Sequence, residues 1–110
     1  MFHTKSQRNR FCSECPIARV ADIIGDSAVQ LIVRDLLLKP RRFGDFKESL
    51  EGISTRTLTK KLRMLEQYGI LFREEFHEYP PRVLYSLTKK GRGLHSVAEA
   101  MRKYGEKYLS

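Results

Sequence analysis

The feature of this sequence that most constrains its fold is a change of hydrophobic period at Gly69. Before this residue, Leu58, Leu62 and Leu65 recur every three or four positions, which indicates one buried face of an α-helix. After it, apolar and polar residues alternate over residues 70–76, as is typical of a half-buried β-strand. A glycine that ends a helix and leads directly into a strand predicts helices joined to a small sheet.

A β-hairpin and a last helix are predicted after this point. Pro80 and Pro81 interrupt the alternation, because proline has no N–H to donate to a ladder, and the alternation resumes over residues 83–87. Thr88 is a suitable N-cap for the last helix. An apolar stripe follows it towards the end of the chain, at Leu94, Val97, Ala98, Met101, Tyr104 and Tyr108. One small domain cannot bury so long a stripe, so the last helix is expected to join two copies of the chain.

Two further helices are predicted at the start of the folded region. Pro16 fits the first turn of a helix, where its missing N–H costs nothing, and the apolar spacing that follows stops at Gly25. Asp26 or Ser27 is a suitable cap for the second helix, which Pro40 ends. Both helices carry apolar residues at helical spacing.

A short helix is predicted just before the helix that ends at Gly69. Phe43, Phe46 and Leu50 lie at positions i, i+3 and i+7, which indicates two helical turns. The chain then turns tightly around a glycine, and a strong N-cap, Ser54, begins the next helix. Two helices joined by a glycine turn form a helix-turn-helix unit, and the hairpin that follows is a wing. The sequence therefore predicts a mainly α winged helix-turn-helix fold with a small β-hairpin wing.

The charge of the chain suits an anionic partner. Lysine and arginine number 21 against 13 acidic residues, and the net charge of the 110-residue chain is +8. In one small domain, this balance favours nucleic acid. No apolar run approaches the roughly 20 residues of a membrane span, and no signal-peptide pattern follows the basic N-terminus, so a cytoplasmic protein without a membrane partner is expected. Residues 1–14 are expected to form a flexible arm and residues 15–110 one domain.

The helix that begins after Ser54 is predicted to read double-stranded DNA. Its leucines face inward, so its other face presents cations and hydroxyls near the N-terminal half, where base recognition in the major groove needs them. The candidate contacts on this helix are Ser54, Thr55, Arg56, Thr57, Thr59, Lys60 and Arg63. Arg82 in the wing is expected to reach a minor groove or a phosphate. Arg41 and Arg42 are either backbone-phosphate contacts or part of a solvated turn.

These segments resemble a known family. Residues 53–71 resemble the recognition helix of the HxlR-type regulators, which are winged-helix proteins related in architecture to MarR. Residues 80–88 resemble their wing, and Cys15 with Pro16 resembles the opening of their first helix. The resemblance covers about residues 15–108. It implies homodimers joined by the first and last helices, a pseudo-palindromic operator, and control of nearby genes in response to electrophiles, oxidants or metabolites.

Cys12 and Cys15 are the only cysteines and form a Cys-x-x-Cys pair. If Pro16 is the first helical residue, Cys15 is the N-cap, where the helix dipole stabilises a thiolate. This placement makes Cys15 a redox candidate, with Cys12 as its resolving partner. Two alternatives stay open. Two copies of the chain can bring four thiolates together around zinc, or the pair is inert. No metal and no cofactor is predicted for the chain alone.

No catalytic constellation can be assembled from this sequence. The histidines, at positions 3, 77 and 95, are scattered, and no phosphate-binding glycine loop is present. A small redox enzyme built on Cys-x-x-Cys is disfavoured, because no strand of a βαβ unit precedes the motif. The leading hypothesis is a sequence-specific DNA-binding transcription regulator with a thiol-redox or small-molecule input, and not an enzyme. The alternative is a winged-helix module that binds protein or RNA without reading a DNA sequence.

Overall fold

The computed structural model describes residues 15–110. The predicted flexible arm over residues 1–14, and Cys12 with it, lies outside the described residues. The described elements follow one another as α1 Pro16–Ile24, α2 Ser27–Leu38, α3 Phe43–Ser49, α4 Thr55–Gln67, β1 Leu71–Phe76, β2 Arg82–Leu87, α5 Lys89–Arg92 and α6 His95–Tyr108.

The caps of α2 and α4 are residues that the sequence analysis proposed for this role. Asp26 caps α2, because its Oδ1 accepts a hydrogen bond from the Val29 N–H at 3.1 Å. The choice between Asp26 and Ser27 is thereby decided. The helix-turn-helix turn contains Gly52 at φ +89°, and Gly69 ends α4 at φ +74°. Both lie in the left-handed region, which glycine adopts at little cost.

The core is formed where the apolar faces of α2, α3 and α4 meet. Its most buried side chains include Val29, Ile32, Phe46, Leu58, Leu62, Leu65 and Leu71. The ring of Phe46 meets that of Tyr85 edge to face, with 6.0 Å between centroids, and this contact joins α3 to the hairpin. The helix-turn-helix unit and the base of the wing therefore share one core.

The wing is an antiparallel hairpin, in which Leu71 pairs with Leu87 and Phe76 with Arg82. The expectation of a half-buried first strand is wrong beyond Leu71, because residues 72–75 are exposed and Phe72 keeps 44% of its surface. The strand leaves the core after its first residue, and the side chains of residues 72–75 are exposed to solvent. By contrast, β2 has Tyr85 and Leu87 buried.

The single last helix predicted from Thr88 is two helices. Thr88 caps only α5, where its Oγ1 accepts from the Gly91 N–H at 3.0 Å, and a turn at Gly93 separates α5 from α6. The two glycines lower the helix propensity of this segment. The break also lets Gly91 lie against the wing, since a Cβ on it would stand 2.0 Å from the Ile70 carbonyl oxygen.

Candidate DNA interface

The α4 helix presents a continuous polar face, built because Leu58, Leu62 and Leu65 hold the opposite face in the core. We call it the α4 face; its residues are Ser54, Thr55, Arg56, Thr57, Thr59, Lys60 and Arg63. All of them are exposed except Thr59, which is half-buried. The structure thus leaves every residue of this helix that the sequence proposes for DNA contact at least partly exposed, and Arg56, Thr59, Lys60 and Arg63 lie together on one surface.

The cations of the α4 face are available to a partner. Arg56, Lys60 and Arg63 form no ion pair with any residue within 15–110. Lys61, which lies toward the protein, differs: its Nζ is 2.8 Å from Oδ2 of Asp26. The hydrogen bond from Lys61 holds the pKa of the Asp26 carboxyl below its ordinary value. Lys61 therefore fastens α4 to the start of α2, and the other cations project outward.

The N-terminus of α4 is ordered by its cap. Ser54 Oγ accepts from the Thr57 N–H at 3.0 Å and donates to Thr57 Oγ1 at 2.9 Å. In the preceding turn, Lys47 Nζ donates to the Ile53 carbonyl oxygen at 2.6 Å. The side chains of Ser54 and Thr57 thus already form hydrogen bonds within the helix cap. The side chains with the most freedom on this turn are Thr55 and Arg56.

The two arginines before α3 have different surroundings. Arg41 is half-buried; its backbone pairs with Tyr85, and its Nε donates to the Asp35 carbonyl oxygen at the end of α2 at 3.1 Å. Arg42 has an exposed side chain, and its backbone N–H donates to Asp45 Oδ2 at 2.8 Å. Arg41 therefore connects α2 to the wing, a role that the sequence analysis missed because Tyr85, its partner in the wing, is distant in sequence. Arg42 is the freer of the two.

Arg82 lies beside the wing tip, in the last pair of the ladder. Its guanidinium carbon is 4.3 Å from the centre of the Phe76 ring, and its Nε is 3.4 Å from Oε1 of Glu78. The Glu78 carboxylate would compete with a phosphate for this guanidinium. The tip itself presents Tyr79, which is fully exposed. The sequence analysis treated Tyr79 only as part of the loop, although an aromatic residue at a hairpin tip was a usable signal.

Cys15 occupies the predicted position. It is the N-cap of α1, its side chain is exposed, and it makes no capping hydrogen bond. Among residues 15–110, no cluster of three or more His, Cys, Asp or Glu side chains is arranged to hold a metal ion. Cys12 lies outside the described residues. The structure therefore presents one accessible thiol at the start of the first helix.

An apolar groove separates α2 from α6. We call it the α2–α6 groove; its cavity is about 490 Å³, and its apolar lining includes Ile24, Leu31, Leu37, Leu38, Val97 and Met101. Farther along α6, Tyr104 keeps 61% of its surface exposed and Tyr108 60%. No residue of α6 is buried within the described chain. The helices between residues 15 and 110 include none with the length and apolar character of a membrane span.

A comparison with known families decides what kind of protein this is. The HxlR-like helix-turn-helix family matches residues 23–110, which is most of the chain. The chain belongs to this family. The match includes the α4 face, the wing and α6, and it confirms the resemblance seen in the sequence.

The relatives of this HxlR-family chain are transcription regulators. An HTH-type transcriptional regulator from Synechocystis sp. is 44% identical over 95 residues, which cover 86% of this chain and 70% of the relative. YdeP, an HTH-type transcriptional regulator from Bacillus subtilis, is 39% identical over 94 residues, covering 86% and 73%. Regulators of this type are a non-enzymatic class.

Solved structures confirm the winged helix-turn-helix fold of this HxlR-family protein. The redox regulator HypR in its oxidised form has a TM-score of 0.81 at 35% identity, covering 87% of this chain and 99% of that chain. The reduced form of the regulator YodB from B. subtilis has a TM-score of 0.77 at 32% identity, covering 87% and 95%. The mainly α architecture with a hairpin wing is therefore as predicted.

Proposed function

We propose that this chain is a sequence-specific double-stranded DNA-binding transcription regulator that acts in the cytoplasm as a homodimer on a pseudo-palindromic operator. The observation that carries the proposal is the α4 face, on which Arg56, Lys60 and Arg63 point away from the protein without an ion-pair partner in the described chain. An unpaired cationic stripe on a helix held rigidly by its core is what major-groove recognition requires.

The proposed contacts divide by position along α4. Arg56, on the exposed first turn, contacts base edges, because a guanidinium reads the two acceptors of guanine with two hydrogen bonds. Lys60 and Arg63 lie one and two turns further on and contact bases or the adjacent backbone, with Thr55 and Thr59 beside them. Ser54 and the first N–H groups of the helix face a phosphate, and Thr57 keeps Ser54 in place.

Outside α4, the proposed contacts are to the DNA backbone. The exposed side chain of Arg42 suits a phosphate, because its own backbone already satisfies Asp45. Arg82 contacts a phosphate or a minor groove after leaving Glu78. Arg41 remains a proposed phosphate contact, but the bond to Asp35 leaves it less free than Arg42. Contacts of this kind orient the protein and carry no sequence information.

The dimer is proposed to form through α1 and α6. The apolar side chains that α6 leaves exposed, and Ile17 of α1, which keeps 81% of its surface, lack a covering surface within residues 15–110. A second copy supplies one and leaves the two α4 faces free. In a dimer on B-DNA, these faces must lie about 34 Å apart to enter successive major grooves.

We also propose that Cys15 gives the regulator a redox input. Oxidation would join Cys15 to Cys12 or to the partner's Cys15, and the two thiols would pass two electrons and two protons to an electrophilic oxidant such as diamide, which becomes the hydrazine. Two structurally similar proteins, HypR and YodB, are regulators, and HypR is named a redox regulator. A disulfide at the start of α1 would shift the proposed interface. A shared zinc site and an inert pair are the alternatives.

The experiment that tests DNA recognition is a selection of genomic fragments by the purified full chain. The affinity is then measured for the enriched duplex, for a scrambled duplex of equal length and for the corresponding RNA. We expect the enriched duplex to bind at least about a thousandfold more tightly than the scrambled one. Equal affinity for all three nucleic acids would favour the alternative, a winged-helix module that binds RNA or protein without sequence preference.

A further inference from the structure

A second cavity, of about 420 Å³, lies where the end of α2 and the base of β2 meet the start of α6. This volume is within the range of small-molecule sites. The apolar part of its wall is Leu36, Leu37, Pro40 and Leu87, and the polar part is Lys39, Ser86, Arg92 and His95. We call it the basal pocket. An apolar wall with a few polar groups is the usual composition of a ligand site.

Three of the four polar residues that line the basal pocket, Lys39, Arg92 and His95, are of basic type, and no acidic residue lines it. Lys39 is exposed; its backbone N–H donates to the Asp35 carbonyl oxygen, and its ammonium group has no hydrogen-bond or ion-pair partner within residues 15–110. Arg92 Nη1 donates to the Leu87 carbonyl oxygen at 3.1 Å, which holds the guanidinium at the pocket edge and uses one of its donors. Glu99, one turn beyond His95, is bonded to Arg102 at 2.8 Å and stays outside the lining. The pocket thus offers hydrogen-bond donors to an anion. No acidic residue of its lining compensates the charge of these donors.

The basal pocket is separate from the proposed DNA surface. Ser86 and Leu87 pair with Phe72 and Leu71 at the base of the hairpin, which is the end opposite the tip at residues 77–81. No residue of the α4 face lines the pocket. The basic groups here are therefore not an extension of the cationic stripe on α4.

We propose that the basal pocket binds a small organic carboxylate, with the carboxylate between Lys39, Arg92 and His95 and an apolar body against the leucines. Lys39 lies two residues before Arg41, whose backbone pairs with Tyr85 and whose side chain bonds to the end of α2. A ligand here therefore contacts the segment that connects α2 to the wing. The role of such a ligand as an effector rests on the proposed function. The binding of the ligand to the pocket does not depend on that function.

The test uses the ¹⁵N-labelled full chain without DNA, titrated with benzoate while backbone amide shifts are followed by NMR. Benzamide is the neutral probe of the same shape, and inorganic phosphate is the anion without an apolar body. We expect saturable shifts around the basal pocket with benzoate, and affinities for benzamide and phosphate at least about tenfold weaker, since one charge-assisted contact is worth roughly 1.5–3 kcal/mol.

Lys39→Gln should weaken benzoate binding by about tenfold, because it removes one charge-assisted contact. Lys89→Gln is the matched control: it removes the same charge from an exposed residue of α5 outside the lining, and it should change the affinity less than about twofold. Equal effects of the two substitutions, equal binding of benzamide, or shifts confined to the α2–α6 groove would overturn the proposal. Because no DNA is present, this result is independent of whether the chain recognises an operator.

Discussion

Lys61 of α4 donates from Nζ to Oδ2 of Asp26 at 2.8 Å, and the other oxygen of the same carboxylate caps α2. One side chain thus begins the second helix and fastens the proposed recognition helix to it. Because Lys61 is turned inward by this bond, it differs from its neighbour Lys60, which faces outward. The orientation of the α4 face therefore depends on a residue 35 positions earlier in the chain.

The Asp26 carboxylate is expected to stabilise the fold in two separable ways. Asp26→Asn keeps a capping oxygen and loses the ion pair, so it should cost about 0–1 kcal/mol of unfolding free energy. Asp26→Ala loses both and should cost about 1 kcal/mol more. Urea denaturation measures the two values. Equal costs for the two variants would mean that the cap contributes nothing.

The same carboxylate predicts a pH dependence. Its pKa is lowered in the folded protein by the hydrogen bond from Lys61, so its contribution to stability is present above the unfolded value of about 3.9 and is lost as pH falls through the folded value. The stability difference between the wild type and Asp26→Asn should therefore narrow below about pH 4. Denaturation at several pH values measures it, and a difference that widens on acidification would contradict the assignment.

Arg56 and Arg42 are expected to affect DNA binding differently. Arg56→Ala should lower discrimination between the operator and mismatched DNA by about 1–3 kcal/mol, because it removes a base contact. Arg42→Ala should weaken binding to all duplexes alike and make the salt dependence shallower by about one unit, because it removes a phosphate contact. Titrations at several salt concentrations separate the two. If Arg56→Ala changed only the salt slope, its assignment to the bases would be wrong.

The surface of α6 is expected to hold two copies together. Met101→Glu places a charge on the α2–α6 groove, where a second copy would have to desolvate it, and should convert the dimer into a monomer. Ala100→Glu is the control: it adds the same charge to an exposed neighbour that does not line the groove. Sedimentation velocity reports the mass. A dimer that tolerates both substitutions would exclude this stretch of α6 from the interface.

The Cys15 thiol is expected to link DNA affinity to oxidants. Diamide should reduce operator binding by the wild type and should have no effect on Cys15→Ser. A Cys12→Ser variant that still responds would identify the partner's Cys15 as the second sulfur. Gel shifts before and after reductant measure the response. If diamide leaves the operator affinity of every variant unchanged, the proposed redox input is wrong. Zinc bound by four sulfurs per dimer would instead identify the cysteines as a structural metal site.

Gly91 is expected to be irreplaceable for packing reasons. A Cβ at this position would stand 2.0 Å from the Ile70 carbonyl oxygen and 3.0 Å from a Leu87 methyl group, so Gly91→Ala should destabilise the fold by about 1–3 kcal/mol. Gly44 in α3 is the matched control, because a Cβ there meets no atom within 4 Å. Gly44→Ala should stabilise the chain by about 0.5–1 kcal/mol. Thermal unfolding compares the two, and a neutral Gly91→Ala would show that α5 can move away from the wing.

Local patterns in the sequence were enough to predict most of the elements and the residues of the α4 face. A leucine stripe, a serine cap and a left-handed glycine act over a few residues, so α4 and its outward face follow from neighbours along the chain. The predictions that failed concern contacts over longer distances. The last helix divides at a turn at Gly93, which lets Gly91 lie against Ile70, and β1 is exposed because nothing in the described fold covers residues 72–75.

The sequence by itself determined most of the elements, the cap of α4 and which face of α4 is polar, because backbone preference and hydrophobic period are local. Only the tertiary structure decided which cations are free. Lys61 pairs with Asp26, which lies 35 residues earlier, whereas Arg56 on the same helix has no such partner in the described chain. A long flexible side chain takes its partner from whatever the fold brings within reach, and that distance is not encoded in the residues beside it.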